Sequence, residues 1–453
     1  MPLMKCRGQQ SRRDVLRVGS LALGGLGLPG LLSAREVSGR GGCETAVIVL
    51  FLHGGASQLE TFDLKPEAPD GIRSVIRPIR SAVPGMDLCE HLSGLARISD
   101  RFTLIRSLNH AMSVHSDGQI EVMTGKAPTK VDPTSQSRGD HPDLGHITSH
   151  LRGLHPEGMP RYVAIPSALY ATRPTYLGPG HAPFTVSDPS RDGFDPLKVA
   201  IDGGARSLED RRGLLRQLDV LRRGVDRPAS WDAMDRYQAQ AFTLLTSSRV
   251  AEAFDLDRED AGLRDRNGRH RWGQGCLLAR RLVEAETSIV SLFIDTPQDG
   301  PVFTNWDDHP GNAGRPGHFA DYLRRRLAYL DQALSTLVAD IAARGLDRRV
   351  LVVVTGEFGR TPRIRSGPPD GSQGRDHWPQ AYSALVAGGG LRMGQVVGET
   401  DSEAAYPRER PVSPQDLLAT VYRHLEIDTG HVFRDHLDRP FPILSEGRPI
   451  AEL

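Results

Sequence analysis

A three-layer α/β fold with a mostly parallel central sheet is what this 453-residue sequence predicts. Three observations point there. Short, predominantly apolar runs recur along the chain, as in strands buried on both faces. Segments with apolar residues at three-to-four spacing lie between the last of these runs. The two kinds alternate, which favours parallel strands joined by helices. With 38% hydrophobic residues, the chain can also bury a large core.

The first run, Val47 to Leu52, stops at His53-Gly54-Gly55. Comparable runs follow at Phe102 to Leu108, Tyr162 to Pro166, Ile289 to Ile294, Val350 to Val354 and Tyr382 to Ala387. Residues 321–344 read as a helix, with Leu323, Leu327, Leu330, Leu334, Leu337, Val338 and Ile341 inward and Gly345 at its C-terminal cap. Residues 413–425 read as another: Ser413 is the N-cap, Pro414 takes the first helical position, and Leu417, Leu418, Val421 and Leu425 face inward. Residues 200–285 are charged and mainly helical in pattern, and are expected to form a helical cap or flanking layer. Residues 126–145 and 363–376, rich in Pro, Gly, Ser and Asp, read as long loops. The domain expected is a single one over residues 45–453.

The N-terminus has a different character. Residues 1–34 hold five basic residues against one acid. Ser11-Arg12-Arg13-Asp14-Val15-Leu16 precedes the uncharged, glycine-rich run Gly19 to Leu32, which is followed by Ser33-Ala34. That order resembles a twin-arginine export signal, with an apolar segment too short for a stable membrane anchor. The expectation is a periplasmic or secreted protein that meets the twin-arginine machinery during export. A buried N-terminal helix is the alternative, disfavoured by six glycines and prolines between Gly19 and Gly30. Without the signal the chain has 51 basic and 55 acidic residues, so charge gives no reason to expect a nucleic-acid partner. Cys6 would leave with the signal; Cys43, Cys89 and Cys276 allow at most one disulfide and show no zinc-binding CxxC spacing.

In open parallel sheets, ligands bind beyond the carboxyl ends of the strands. Those positions here are rich in ligand-type residues: His53; Asn109, His110 and His115; Asp295 and then Trp306-Asp307-Asp308-His309; Glu357 and Arg360; and Asp376-His377. A single loop histidine would read as an ordinary exposed residue. Repeated placement after strand ends predicts a shared site. Oxygen and imidazole donors from several segments suit zinc or manganese first, with calcium behind them. Glu357 would bind the ion or orient an imidazole. Arg360 would face a substrate anion; alternatively, Glu357 and Arg360 form a structural bridge with each other or with loop neighbours.

The stretches FLHGGASQLETFDLKP, RWGQGCLLARRLVEAE, WDDHPGN, GEFGRTP and GRDHWPQAYSALVAGGG resemble an exported bacterial family known as domain of unknown function 1501. That family is similar in turn to the alkaline phosphatase and sulfatase superfamily, which implies an alkaline-phosphatase-like fold. The resemblance places the first metal-binding acid of the superfamily at His53 and a later acid-and-histidine segment at Asp307 and His309. It sets the Asp-His-Gly strand end at Glu357-Phe358-Gly359 and the last histidine at His377. The nucleophile, nine residues before a Thr-Gly pair, falls on His115, with Ser116 beside it. The chain therefore departs from the pattern at the nucleophile, and one two-ligand position keeps only a carboxylate. The Cys-x-Pro-Ser-Arg run of formylglycine sulfatases is absent, as is the Gly-x-Ser-x-Gly elbow of serine esterases.

The expectation is an exported metal-dependent hydrolase of phosphate or sulfate esters, or of a related small anionic substrate, using metal-activated water. Asp307, His309 and His377 would bind the ion, Glu357 and Asp376 would complete or orient that shell, and His53 and His115 would hold a second ion or act as acid-base groups. Catalytic roles fall to His115 and Arg360, with Ser116 as reserve nucleophile. The competing expectation is an exported, non-catalytic binding or scaffold protein on the same fold.

Overall fold

The computed structural model describes residues 45–197, 243–299, 305–311, 319–367 and 372–453. The expected export signal, Cys43 and residues 200–242 of the expected helical cap lie outside the described residues. Eight strands form the central sheet: β1 Ala46–Leu52, β2 Phe102–Leu108, β3 Tyr162–Ile165, β4 Phe184–Thr185, β5 Ile289–Ile294, β6 Val350–Thr355, β7 Tyr382–Gly388 and β8 Gln395–Val397. Their order is β8-β2-β7-β6-β1-β5-β3-β4. Every pairing is parallel except those of β7, which runs against both β2 and β6.

Every residue of β1 is buried, because both faces are covered. Ile48, Leu50 and Leu52 pack with helices α3 (Arg271–Glu284) and α4 (Phe319–Ala343). Val47, Val49 and Phe51 pack with α1 (His115–Thr124), α2 (Leu144–Arg152) and α5 (Pro414–His424) on the opposite face. The two-residue period of the strand thus divides one apolar run between two cores, each full side-chain burial contributing roughly 1.5–3 kcal/mol. This is the three-layer αβα arrangement, with a mixed but mostly parallel sheet.

All seven apolar positions predicted to face inward on α4 are buried. Gly345, at φ +67°, adopts the left-handed conformation that ends the helix. Ser413 caps α5 by accepting from Asp416 N at 3.1 Å, and Asp416 returns the bond by accepting from Ser413 N at 3.0 Å. Two expected loops carry more order than their composition indicated. Asp143 caps α2 by accepting from Gly145 N and His146 N, so the helix begins inside the segment 126–145. Within 363–376, Arg365–Ser366 pairs antiparallel with Gln373–Gly374. Cys89 and Cys276 are buried free thiols, both pushed up to about 12 by burial. Among the described residues, no helix is long and apolar enough to cross a membrane.

Candidate metal centre

The parallel strands deliver their carboxyl ends to one edge of the sheet. Because β7 is antiparallel it enters at that same edge, and His377, just before it, arrives there from the opposite direction. The first strand breaks at Gly54 and Gly55, at φ +109° and +75°. A Cβ on Gly54 would lie 2.4 Å from the backbone nitrogen of Asp307, so only glycine lets the Trp306–His309 segment rest on this turn. Gly374 permits an equally close approach from elsewhere: its Cβ would stand 2.3 Å from Asp308 O.

Alternate residues of Trp306–His309 have different tasks. Trp306 is fully buried, donates from Nε1 to Ile294 O at 3.0 Å, and stacks on Trp272 with 5.8 Å between ring centroids. Asp308 is buried and pairs with the fully buried Arg326, whose guanidinium lies over the Trp306 ring. Those two residues anchor the segment, and Asp307 and His309 face the site.

Three imidazoles surround the Asp307 carboxylate. His115 Nε2 lies 3.4 Å from Oδ2, His309 Nε2 3.3 Å from Oδ2, and His377 Nε2 3.2 Å from Oδ1. His377 Nδ1 donates to Ser113 O at 2.8 Å, and His309 Nδ1 donates to Pro310 O at 3.1 Å. A carbonyl oxygen can only accept, so each neutral ring turns a bare Nε2 lone pair toward a carboxylate oxygen. His115 contacts carboxylates with both nitrogens, because its Nδ1 lies 2.6 Å from Glu357 Oε1. The cluster holds more lone pairs than donors. It requires protons or a cation between its members.

The titration of the side chains follows from this crowding. Burial alone would lower His115, but hydrogen bonds and charge from Asp307 and Glu357 push it up to about 9. Burial would raise Asp307, yet the Arg360 charge and the three imidazoles hold it far below the usual carboxylate range. Glu357 is likewise held low, despite full burial, by His115 and by the charge of His53. His309 is raised by its bond to Asp307, whereas burial and Arg360 lower His377. The three rings do not share one protonation state. A divalent cation can replace the protons over which they compete.

His115, Asp307 and His377 each place one donor atom so that all three lie within 4.8 Å of one another. Two imidazoles and a carboxylate suit a divalent ion of the zinc type. The remaining groups support this set. Glu357 is wholly buried; its Oε1 accepts from Gly54 N at 2.8 Å and holds His115, while Oε2 has no hydrogen-bond partner among the described residues. His53 stacks on Phe293 with 4.6 Å between centroids, its buried Nδ1 3.7 Å from Glu357 Oε1 and also without a hydrogen bond among the described residues. His110 donates from Nε2 to Glu357 O at 2.6 Å and accepts at Nδ1 from Met112 N at 3.0 Å, which pins the backbone of Glu357.

Several site residues differ from their expected roles. Arg360 is turned into the fold. It is fully buried; Nε donates to Gly55 O at 2.9 Å, Nη1 to Arg375 O at 3.1 Å, and Nη2 to Gly54 O and, at 2.6 Å, to Asp307 Oδ1. It braces Asp307 and stands directly across a short antiparallel ladder from His377. Ser116 is buried and turned into the fold, donating to Asp117 Oδ1 and accepting from Ser137 N, each at 3.3 Å, so it is not placed as a nucleophile. Asp376 is half-exposed and pairs with Arg365 at 3.8 Å, outside the cluster. His115, at the superfamily's nucleophile position and expected to hold an ion or act as an acid-base group, stands with Asp307 and His377 in the donor set. His309 touches Asp307 without belonging to the tightest group, and Glu357 and His53 stand behind His115.

Sequence reasoning missed the scaffold beneath the site. Gln58 accepts from Arg360 N at 2.8 Å and donates to Arg360 O at 2.9 Å. Glu60 forms a fully buried pair with Arg375 at 2.7 Å, and Arg375 N donates to Asp308 O at 2.9 Å. The signal was the density of polar residues in SQLE, just beyond the His53–Ala56 turn that follows a buried strand.

The family described as "Protein of unknown function (DUF1501)" matches residues 44–453. The chain belongs to that family. No curated protein matches it. Among solved structures, this DUF1501 chain is similar to the PsFucS1 sulfatase from Pseudoalteromonas sp., with 12% identity, TM-score 0.38, and 88% of this chain and 70% of that chain covered. The lipoteichoic acid synthase LtaP from Listeria monocytogenes gives 11% identity and TM-score 0.35 over 85% and 73% of the two chains. The C-terminal periplasmic domain of EcEptC from Escherichia coli, in complex with Zn, gives 11% and 0.36 over 85% and 83%. Similarity this distant leaves the chemistry to be argued from the residues.

Proposed function

We propose that this DUF1501 protein is an exported metal-dependent hydrolase of phosphate or sulfate esters, or of a related small anionic substrate. The observation that carries the proposal is the convergence of one donor atom each from His115, Asp307 and His377, all within 4.8 Å of one another, at the carboxyl edge of the sheet. A divalent ion held there, zinc or manganese before calcium, would supply Lewis acidity toward an ester oxygen and would lower the pKa of water. The residues of the chain do the rest. His115, Asp307 and His377 hold the charge, Arg360 and Glu357 fix the rotamers of Asp307 and His115, and the more exposed His309 ring can move a proton at the mouth of the site. Export by the twin-arginine route remains part of the proposal.

One observation favours a second reading, an exported non-catalytic binding or scaffold protein. Ser116 is turned away and Arg360 is fully engaged, so Ser116 does not serve as a side-chain nucleophile and Arg360 does not serve as a clamp on an ester. One experiment separates the two readings. Purified mature protein is assayed for bound metal and for turnover of aryl phosphate and aryl sulfate, with and without chelator, beside His377→Ala. The hydrolase reading expects metal uptake and chelator-sensitive turnover, both lost in the variant. Metal uptake without turnover of any ester supports the scaffold reading, and no uptake at all overturns the site.

A further inference from the structure

Helix α1 opens on His115, one of the three converging donors, and it opens without a cap of its own. Val114 stands at the N-cap position in extended conformation, with no side-chain acceptor to offer. The missing bond comes from a loop further along the chain. Ser135 Oγ accepts from Ser116 N at 3.2 Å, the second amide of the helix and one that an N-cap side chain ordinarily takes. Ser137 N donates to Ser116 Oγ at 3.3 Å, and Asp132 N donates to Asp117 Oδ2 at 3.1 Å, so the segment 132–137 grips the first turn of α1 at three points. Ser116 and Asp117 are fully buried beneath that grip. Tyr170 Oη lies 3.4 Å from the same Ser135 oxygen, and the Tyr170 ring meets His53 edge-on at 5.5 Å between centroids.

We propose that Ser135 is a positioning residue for the metal centre: it caps α1 from outside and so fixes the His115 ring between Asp307 and Glu357. The inference rests on the metal-site reading above. Backbone conformation supplies a second, independent argument. Ser135 has φ +58°, in the left-handed region that glycine adopts freely and a β-carbon resists. A turn that needed only this conformation would be better served by glycine. Serine adds a hydroxyl, and that hydroxyl makes the bond to the helix. The turn is also built to present it: Ser135 N donates to Asp132 O at 3.0 Å, and Asp132 Oδ1 accepts from Thr134 N at 2.9 Å and from Thr134 Oγ1 at 2.7 Å. The cap matters to the ring because His115 is the first residue of α1, and first turns fray when their amides are unpaired. Both ring nitrogens are committed, at 2.6 Å to Glu357 Oε1 and 3.4 Å to Asp307 Oδ2, so a small swing of the His115 backbone breaks one contact or the other. Asp307 is braced by Arg360 and Glu357 is held by Gly54 N, which leaves the helix start as the end of the arrangement that needs fixing.

The test compares the parent, Ser135→Gly and Thr134→Ala as full chains. Glycine keeps the left-handed turn and removes the hydroxyl, so that variant should fold, and its circular dichroism spectrum checks this. Thr134→Ala takes a hydroxyl from the same turn without touching α1. Histidine-selective nitrogen-15 labelling reads the His115 imidazole resonances in the metal-free protein, assigned by their loss in His115→Gln, and calorimetry reads zinc binding. The proposal expects displaced His115 resonances and about fivefold weaker zinc binding in Ser135→Gly, the equivalent of one lost helix cap, with neither changed in Thr134→Ala. Unmoved resonances or unchanged zinc affinity in Ser135→Gly, or an equal displacement in Thr134→Ala, overturn it. A parent that binds no zinc overturns the metal-site reading instead, and the metal-free resonances still decide whether Ser135 places His115.

Discussion

Raising the pH of the metal-free protein tests the lone-pair argument most directly. In the folded chain His115 is pushed from its ordinary 6.5 up to about 9 by Asp307 and Glu357, which outweigh the opposing effect of burial. A shift of that size corresponds to roughly 3 kcal/mol. Since the folded value lies above the unfolded one, this stability is complete below pH 6.5 and is lost as the pH climbs through 9. His377 works the other way: its folded value is lowered, so its contribution is lost as pH falls below its ordinary value. The window between 6.5 and 9 therefore belongs mainly to His115, with a smaller contribution of the same sign from His309. Urea melts of chelator-treated protein should show a midpoint that declines across this window, and His115→Gln should flatten the decline. Added zinc should flatten it in the parent too, because an ion takes the place of the proton and stabilises the fold by mass action. If the parent and His115→Gln show the same pH slope, His115 does not hold a proton between two carboxylates, and the argument for a cation site fails with it.

Other perturbations follow from the same contacts. Gly54→Ala places a Cβ 2.4 Å from Asp307 N at a φ of +109°, which should cost about 1–3 kcal/mol and lower metal retention, measured by urea melts and equilibrium dialysis. An alanine variant that keeps both values would show that the turn does not position Asp307. Arg360→Met leaves Asp307 without its buried guanidinium and should cost about 3–5 kcal/mol, part of it recovered by added zinc; unchanged stability would refute the brace. Replacing Arg12 and Arg13 by lysine should strand the precursor in the cytoplasm on cell fractionation, and normal export of that variant would remove the twin-arginine proposal.

The strands were legible because burial on both faces leaves almost no freedom of composition. Phe102–Leu108 and Ile289–Ile294 form at the residues where the apolar runs stand, and the other four predicted strands differ by about a residue at an end. The edge that holds the site was legible for a related reason: parallel strands carry their carboxyl ends to one side, so a chemistry-bearing residue after each run must arrive there. What linear pattern does not reveal is which way a side chain turns once it arrives. In the short strand at His377–Trp378 and the residue before it, a shift of one position exchanges site for solvent, and His377 faces Asp307 while Asp376 does not. The fate of Arg360 depends on the carbonyls of Gly54 and Gly55, some three hundred residues away in sequence, which become a guanidinium cradle only after β1 and β6 have paired.

That cradle also explains why a buried strand ends in charge. Arg360 and His377 are opposite each other in a two-residue ladder, and both reach the same oxygen of Asp307, at 2.6 and 3.2 Å. Arginine offers a donor to that oxygen. His377 cannot do the same while its other nitrogen donates to Ser113 O, so the neutral ring confronts the carboxylate lone pair to lone pair. Arg360 therefore fixes where Asp307 sits without satisfying the rings around it. The position is rigid and the unmatched lone pairs of His377 and Asp307 persist, two conditions under which the proposed metal ion would be held more readily than a closed salt bridge would form.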